Sequence, residues 1–415
     1  MFQKTTYQTD CSTNKSLDGL VEGFAAFIAG QGYMPGTIKA YRLRAVSLCN
    51  TMSQNGVAIS DLDDPTADAL IEGITRAVSP SQRKHVGFCL ERFRDYLIEH
   101  AAAPKRVAPP VDASPRACLR REYRIYLKQQ RGLTDDTIYH CLRFYDRFLT
   151  YKFGDAFGEL DDITAKDITS FILKLREGRA APRDKTVPSH LRNLFKFLFW
   201  SGRTQRDLSR DVPKTRQPKP TNIPRYLSPD EVNRLIQAAR AHAKTGRRNY
   251  AMLLLIARLG LRAPEVVAIE LDDIDWRSGE ILIRGKRQLH DRMPLPSEVG
   301  KAIVDYIQNE RQGPDRALFV STKAPFRRFK DAQILRWILQ AAYDATGISP
   351  PQSYVGSHIL RHSLATDMLR KGASLDDIGD VLRHRSPTST TIYAQHDVEA
   401  LRAIARPWPV EGGVQ

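Results

Sequence analysis

Two proline-rich, basic segments interrupt the chain of 415 residues and limit which parts of it can fold together. The first covers residues 101–115, and the second covers residues 212–224, with prolines at positions 213, 218, 220 and 224. Proline removes a backbone N–H donor and biases the preceding residue towards extended conformations, so both segments are predicted to be linkers. The sequence therefore predicts three domains, over residues 1–103, 112–212 and 225–415.

The first two blocks look like copies of one another. Their matching segments come in the same order and at similar spacing: Gly32–Ile38 with Gly132–Ile138, Leu62–Ala67 with Leu160–Ala165, and apolar helices around Phe88–Leu97 and Leu191–Trp200. The Thr and Asp residues in these segments are expected N-caps of the helices that follow. We predict that each block is a bundle of four or five helices and that the two arose by duplication, although unrelated helical segments can share such caps by chance.

The third block has a mixed pattern. Ser228 followed by Pro229 predicts a helix start, and Tyr250–Leu259 predicts an apolar helix. Glu280–Arg284 and Met293–Pro296 have the composition of strands on either side of a polar turn over residues 285–292. The predicted fold is mainly α-helical with a small β-sheet.

The charge balance favours a polyanionic partner. The chain has 63 Lys and Arg residues against 47 Asp and Glu residues, a formal net charge of +16. Each cation placed against a phosphate releases condensed counterions, which favours nucleic acid, but charge alone does not separate DNA from RNA or an anionic membrane. Basic residues of the first two blocks are candidates for phosphate contacts or, equally, for solvated helix faces: Lys39, Arg42, Arg44, Arg143 and Arg147.

Cysteine usage and hydropathy predict a cytoplasmic protein. The five cysteines form no CxxC pair, and their odd number argues against a disulfide framework. The polar first residues lack the apolar core of a secretion signal. The longest apolar run, Ala251–Ala257, is too short to span a bilayer.

Four short stretches of the third block combine arginine, lysine, histidine and tyrosine. The candidate site residues are Arg262, Lys286, His358, Arg361, His384 and Tyr393. Arg262 lies at a turn before a helix, where anions are favoured, and His358 and Arg361 share one helix face. Each residue alone also has an ordinary explanation, because such arginines are often solvated, helical histidines often form structural hydrogen bonds, and tyrosines often pack in cores.

The order and spacing of these six residues resemble the tyrosine recombinase (phage integrase) family, whose pattern is Arg, Lys, His-x-x-Arg, His or Trp, and Tyr. The resemblance covers about residues 225–405 and includes the string from His358 to Thr366. The second block is similar to the helical core-binding domain of that family. The first block resembles a further domain of this kind, as in some recombinases of mobile elements.

The chain departs from the family pattern at two positions. The family commonly has glycine after the hairpin lysine and before the second histidine, where this chain has Arg287 and Arg383. Arg287 makes the tip of the hairpin less flexible and more basic. Arg383 lacks the backbone freedom of glycine, and we expect a helical conformation to tolerate it.

The resemblance implies that the chain breaks and rejoins DNA. Arg262 and Arg361 would bind the non-bridging oxygens of the phosphate, and His384 would donate a hydrogen bond to it. Tyr393 would be the nucleophile, with His358 as general base and Lys286 as general acid for the leaving 5′ oxygen. The 3′-phosphotyrosine product conserves the bond energy, so we expect no ATP, cofactor or metal. His358 and His362 are spaced four residues apart, as the zinc-binding histidines of a zinc-protease helix are. The glutamate of that motif is absent, which argues against a zinc site.

Several alternatives remain at the level of the sequence. The same chemistry serves type IB topoisomerases, and a non-catalytic DNA-binding regulator could descend from such an enzyme. For a recombinase we expect a tetramer on two DNA duplexes, alone or with sister recombinases. The tail over residues 394–415 is expected to dock onto a neighbouring protomer or, alternatively, to pack on its own domain.

Overall fold

The computed structural model describes residues 17–107, 112–175, 186–214, 226–285, 290–351 and 355–383. Within these ranges α-helices predominate, and the strands form one antiparallel sheet of three. The fold is therefore mainly α with a small β-sheet, which confirms the predicted fold class.

Residues 17–107 form a helical bundle around aromatic side chains. Its helices are α1 (Leu17–Gly30), α2 (Pro35–Gln54), α3 (Asp64–Arg76) and α4 (Pro80–Glu99). The ring centroids of Phe24 and Phe93 lie 5.0 Å apart in its core. The Asp63 carboxylate accepts a hydrogen bond from the Thr66 N–H at 3.0 Å, so Asp63 is the N-cap of α3, as the sequence predicted.

Residues 112–214 form a second bundle. Its helices are α5 (Pro115–Ile125), α6 (Asp135–Phe153), α7 (Ala165–Lys174) and α8 (Val187–Trp200). Phe148 and Phe195 pack edge to face, with ring centroids 5.2 Å apart. Thr164 and Asp167 form the reciprocal capping box of α7, which confirms the predicted cap.

The two bundles repeat the same order of elements. In each, a 3₁₀-helix (Ile59–Asp61 or Leu160–Asp162) precedes the third α-helix, and this agreement supports the predicted duplication. Of the basic candidates, Lys39, Arg42, Arg143 and Arg147 are exposed. Arg42 donates a hydrogen bond to Glu22 at 2.7 Å. Acidic neighbours therefore already balance part of this positive charge.

The third block carries the sheet. Its helices are α9 (Pro229–Arg240), α10 (Gly246–Leu259), α11 (Ala263–Ala268), α12 (Ser297–Asn309), α13 (Gln333–Thr346), α14 (His358–Arg370) and α15 (Leu375–Val381), and its strands are β1 (Ile274–Asp275), β2 (Glu280–Arg284) and β3 (His290–Pro294). Ser228 caps α9 through a capping box with Glu231, and Pro229 is the first helical residue, as predicted. Helix α10 lies at the centre of the core, since residues 251–257 are all buried.

The predicted strands agree with the structure for β2 but not for β3. Strand β3 begins at His290, three residues before the predicted start at Met293, and pairs Arg284 with His290 and Glu280 with Pro294. It is an edge strand whose side chains are mostly exposed. Its first residues are therefore polar and lack the apolar pattern that predicts a strand. Strand β1 was not predicted because it has only two residues.

Among the described residues, three large and separate hydrophobic cores lie within the three blocks, and a small fourth one joins α14 to α15. The chain divides into two compact units, residues 108–221 and residues 1–107 together with 222–415. The division into three domains therefore stays a prediction. None of the described helices is long and apolar enough to cross a membrane.

Candidate active site

The turn between α10 and α11 positions Arg262. Helix α10 ends at Gly260, which adopts a left-handed conformation with φ of +61°. Arg262 then caps α11 with an extended backbone, and its N–H donates to the Glu265 carboxylate at 2.8 Å. The Nη1 atom of Arg262 donates to the other oxygen of Glu265 at 2.7 Å. One carboxylate therefore holds both the backbone and the side chain of Arg262.

Glycine at position 260 meets two separate requirements. Its positive φ is unfavourable for residues with a Cβ atom. A Cβ atom there would also lie 2.5 Å from the Cδ2 atom of Leu382 and 3.3 Å from that of Leu364. The absence of a side chain thus allows the turn before Arg262 to pack directly against α14 and the end of α15.

Arg361 joins this turn to the end of α15. It lies on α14 and is only 4% exposed. Its Nη1 atom donates to the carbonyl of Gly260 and its Nη2 atom to the carbonyl of Leu382. Since Gly260 lies two residues before Arg262 and Leu382 two residues before His384, Arg361 connects the segments that carry both.

His358 is the first residue of α14, one turn before Arg361. Desolvation by the surrounding protein and the positive charges of Arg361 and Arg262 lower its pKa below the ordinary value. The imidazole is therefore neutral at pH 7 and can accept a proton. His358 and Arg361 lie one turn apart on α14, and Arg361 binds the turn that carries Arg262, so these three predicted residues lie at one junction of the fold.

Glu265 is a buried carboxylate shared by two guanidinium groups. It accepts hydrogen bonds from Arg262 and, at 2.6 Å, from the Nη2 atom of Arg383. Burial alone would raise its pKa, but the hydrogen bond from the Arg262 N–H and the charge of Arg383 together lower the pKa below its ordinary value. Glu265 is therefore ionised at neutral pH.

The expectation of a helical Arg383 is wrong. Its backbone has a φ of +54°, the left-handed conformation that glycine adopts without strain. Its side chain is 10% exposed and points into the protein, where Nη1 contacts the sulfur of Met293 and Nε lies 3.9 Å from Asp291. Where the family pattern has glycine, this chain thus has a residue with a left-handed backbone and a buried charge.

Half of the predicted site is described by the structure. Arg262, His358 and Arg361 are brought together, whereas Lys286, His384 and Tyr393 lie outside the described residues. The sequence predictions did not assign a role to Glu265. Its signal was the Arg-x-x-Glu spacing at the start of α11, since a carboxylate at the third position of a helix commonly binds back to the capping residue.

Comparison with known proteins identifies the family. The model of the phage integrase family matches residues 225–400. A candidate integrase/recombinase of Sinorhizobium fredii, y4rA, is 35% identical over 393 residues, which cover 94% of this chain and 93% of the relative. The chain belongs to the phage integrase family of tyrosine recombinases. Because the match to y4rA covers 94% of this recombinase, it includes most of the sequence of both helical bundles as well as the third block.

Other relatives and solved structures match a smaller part of this recombinase. The tyrosine recombinase XerD of Mycobacterium leprae is 28% identical and covers 68% of this chain and 93% of its own length. The crystal structure of the XerH site-specific recombinase bound to its palindromic difH substrate has a TM-score of 0.54 at 19% identity and covers 83% of this chain and 97% of XerH. A lambda integrase dimer bound to a core site has a TM-score of 0.51 at 20% identity, with 70% of this chain and 96% of the integrase covered. These two structures share the fold of this chain.

Proposed function

We propose that this recombinase cleaves and rejoins DNA strands at a specific site, with the phenol of Tyr393 as nucleophile and a 3′-phosphotyrosine as intermediate. The observation that carries the proposal is the convergence of Arg262, Arg361 and His358. Arg361 is also bonded to Leu382, shortly before His384 and Tyr393 in the chain.

The two arginines supply the electrostatic part of the reaction. A phosphodiester carries one negative charge, and attack at phosphorus increases the negative charge on its non-bridging oxygens. Guanidinium groups stay protonated at every physiological pH and can donate two parallel hydrogen bonds to such oxygens. Arg262 has a side chain that is 35% exposed, so it can reach a bound phosphate while Glu265 fixes its direction. Donors fixed before the reaction stabilise the transition state without reorganising.

Proton transfer requires a base and an acid on opposite sides of the phosphorus atom. A tyrosine phenol has an ordinary pKa of about 10, so Tyr393 needs a base, and the neutral imidazole of His358 suits this role. Lys286 is proposed to protonate the leaving 5′ oxygen, and His384 to donate a hydrogen bond to the phosphate. The phosphotyrosine ester keeps the energy of the broken bond, so the 5′ hydroxyl of another strand can attack it without ATP, a metal or a cofactor.

DNA of a mobile element is the proposed substrate, and a tetramer on two duplexes is the proposed assembly. The net charge of +16 supports contact with the DNA backbone. We propose residues 1–103 and 112–212 as two helical DNA-binding domains, which enlarge the area available for contacts with the site, and residues 225–415 as the catalytic domain. The tail after Tyr393 would dock onto a neighbouring protomer. Because the proposed substrate is DNA of a mobile element, we propose that the protein acts in the cytoplasm.

The proposed nucleophile can be tested by covalent capture. The probe is a nicked duplex that carries the inverted repeats flanking the gene, so that cleavage releases a short fragment and traps the protein on DNA. We expect wild-type protein to form a complex that resists denaturant and Tyr393→Phe to form none. The control is Tyr343→Phe, which should trap DNA as the wild type does. The Tyr343 hydroxyl is buried without a hydrogen-bond partner among the described residues, and burial raises its pKa to about 12.

Other results of this experiment, and of a plasmid relaxation assay, would favour a different function or a different nucleophile. Equally little trapping by wild type and Tyr393→Phe would contradict the proposal and favour a DNA-binding regulator. Relaxation of supercoiled plasmids that lack the repeats would favour a topoisomerase of type IB. Trapping that persists in Tyr393→Phe would mean that another residue is the nucleophile.

A further inference from the structure

Arg383 connects three elements of the catalytic domain. It follows α15 directly, and its guanidinium reaches the start of α11 through Glu265 and strand β3 through Asp291 and Met293. Strand β3 belongs to the hairpin whose turn holds Lys286, and the residue after Arg383 is His384. The side chain of Arg383 therefore contacts the helix that follows Arg262 and the hairpin that carries Lys286. Arg383 itself directly precedes His384 in the sequence.

The conformation of Arg383 indicates that these contacts stabilise the site. A left-handed backbone is unfavourable for a residue with a Cβ atom and persists only where its surroundings hold it. The Nη2 atom of Arg383 lies 2.6 Å from the Glu265 carboxylate, and both side chains are at most 10% exposed. A charge-assisted hydrogen bond shielded from water is stronger than an exposed one. This bond can offset the unfavourable backbone conformation.

The charges around Glu265 favour the same role. With Arg262 alone, the pair of Arg262 and Glu265 would be neutral, and the carboxylate would reduce the attraction of Arg262 for a phosphate. Arg383 brings a second guanidinium to the same carboxylate. The group of three therefore carries a net positive charge while the carboxylate still holds Arg262 in place.

We propose that Arg383 is a positioning residue for DNA cleavage. Through Glu265 it holds Arg262 in place, and through Asp291 and Met293 it holds strand β3 beside the end of α15, where the chain continues to His384. This inference rests on the proposed function, because the arrangement matters only if the chain cleaves DNA. In this chain a side-chain bridge would replace the backbone freedom of the glycine found at this position in the family pattern.

A double-mutant cycle between Arg383 and Glu265 tests the inference. The variants are Arg383→Met, Glu265→Gln and the combination of both, and the measurement is the single-turnover rate of covalent capture at saturating DNA. Misplacing a reacting group by about 1 Å can slow a reaction by about 100-fold, so we expect each single change to slow cleavage by about tenfold or more. Because both residues act through one contact, the double variant should be about as slow as the slower single variant.

The matched control is Arg248→Met, alone and with Glu265→Gln. Arg248 is also buried in this domain, at 4% exposed, but its guanidinium donates to the Val320 carbonyl at 3.3 Å and to the Asn249 side chain at 3.0 Å. We expect this change to reduce thermal stability and its effect on the rate to multiply with that of Glu265→Gln, as for independent sites. Arg383→Lys should recover part of the rate, because lysine keeps the charge but not the planar fork of arginine.

The results also separate this inference from the proposed function. If wild-type protein captures no DNA, the proposed function fails. If it captures DNA and Arg383→Met cleaves at the wild-type rate, or if the effects of Arg383→Met and Glu265→Gln multiply, only the inference is overturned. A DNA dissociation constant raised about tenfold with an unchanged rate at saturation would make Arg383 a DNA contact and would also overturn it. Should Arg383→Met not fold, the same cycle with Arg383→Lys decides.

Discussion

His358 shows how neighbouring charges prepare a side chain for proton transfer. Partial burial, Arg361 and Arg262 all disfavour the imidazolium form, so the pKa lies below the ordinary value. The neutral base is then the main form at pH 7, and the protonated form predominates only below the lowered pKa. Protonation of His358 at low pH would also place a third positive charge beside two arginines.

This lowered pKa predicts the pH dependence of cleavage. At subsaturating DNA the rate reports on the groups of the free enzyme, and an unperturbed histidine has a pKa of about 6.5. We expect the wild-type rate of covalent capture to fall to half of its value at neutral pH only at a pH below about 6.5. His358→Gln should be slow and should lack this decrease. A midpoint above 6.5 would contradict the lowered pKa.

His362→Gln provides the control for this prediction. His362 lies one turn after His358 on α14, with ring centroids 6.4 Å apart. The variant changes the same chemical group on the same helix and should keep the wild-type pH profile. If His362→Gln rather than His358→Gln removes the decrease below pH 6.5, the base has been assigned to the wrong residue.

At single residues the sequence could predict chemistry better than conformation. Arg262, His358 and Arg361 were predicted to share a site because their order and spacing resemble the family pattern, and the structure brings these three together. The left-handed backbone of Arg383 could not be predicted, because it depends on a contact with Glu265, which is 118 residues away in the chain. Contacts between distant segments leave no pattern in a local stretch of sequence.

Among the elements, helix starts were predictable and strand ends were not. The caps at Asp63, Thr164 and Ser228 each use hydrogen bonds within three residues, so a short stretch of sequence contains the whole signal. Strand β3 has its hydrogen-bond partners on β2 and exposes most of its side chains. Its start at His290 therefore depended on tertiary pairing.

The junction of α10, α11 and α14 gives a prediction at the scale of elements. Gly260→Ala adds a Cβ atom at a φ of +61°, at 2.5 Å from the side chain of Leu382. The backbone conformation costs about 1 kcal/mol, and overpacking costs about 1–3 kcal/mol more. We expect the free energy of unfolding, measured with denaturant, to fall by about 2–4 kcal/mol. Cleavage should also slow, because Gly260 holds Arg361.

Gly279→Ala separates the two contributions. Gly279 has a similar φ of +69°, but a Cβ atom there would have nothing within 4 Å. This control should lose only the conformational contribution, about 1 kcal/mol, and should cleave DNA at the wild-type rate. Equal losses of stability in the two variants would mean that close packing against Leu382 does not matter.

At the scale of the whole molecule, the predicted division into three domains stays a prediction, and local composition reaches only part of the organisation of the chain. The proline-rich segments lie between three separate hydrophobic cores, because linkers and cores both follow from local composition. One of the two compact units instead combines residues 1–107 with residues 222–415, and the other consists of residues 108–221. This grouping depends on contacts between distant parts of the chain, which composition does not determine.

The proposed tetramer gives the last prediction, which concerns the tail. Residues 401, 404 and 408 are Leu, Ile and Trp, and prolines on both sides of Trp408 limit the conformations of that segment. Large apolar side chains contribute much of the binding energy of protein interfaces. We expect deletion of all residues after Ala405 to prevent pairing of two DNA sites, measured by light scattering of the protein–DNA complex. The truncated protein should keep its thermal unfolding midpoint and its binding to one site.

Deletion after Pro409 is the control for this truncation, because it keeps Trp408 and removes only the last six residues, Val410 to Gln415. It should pair DNA sites as the full chain does. If the deletion after Ala405 also pairs sites and recombines normally, the tail does not dock onto a neighbour. If that deletion instead lowers the unfolding midpoint, the tail packs on its own domain, because residues that contribute to a domain core stabilise the isolated protomer. Loss of pairing without loss of stability is the result that only docking between protomers explains.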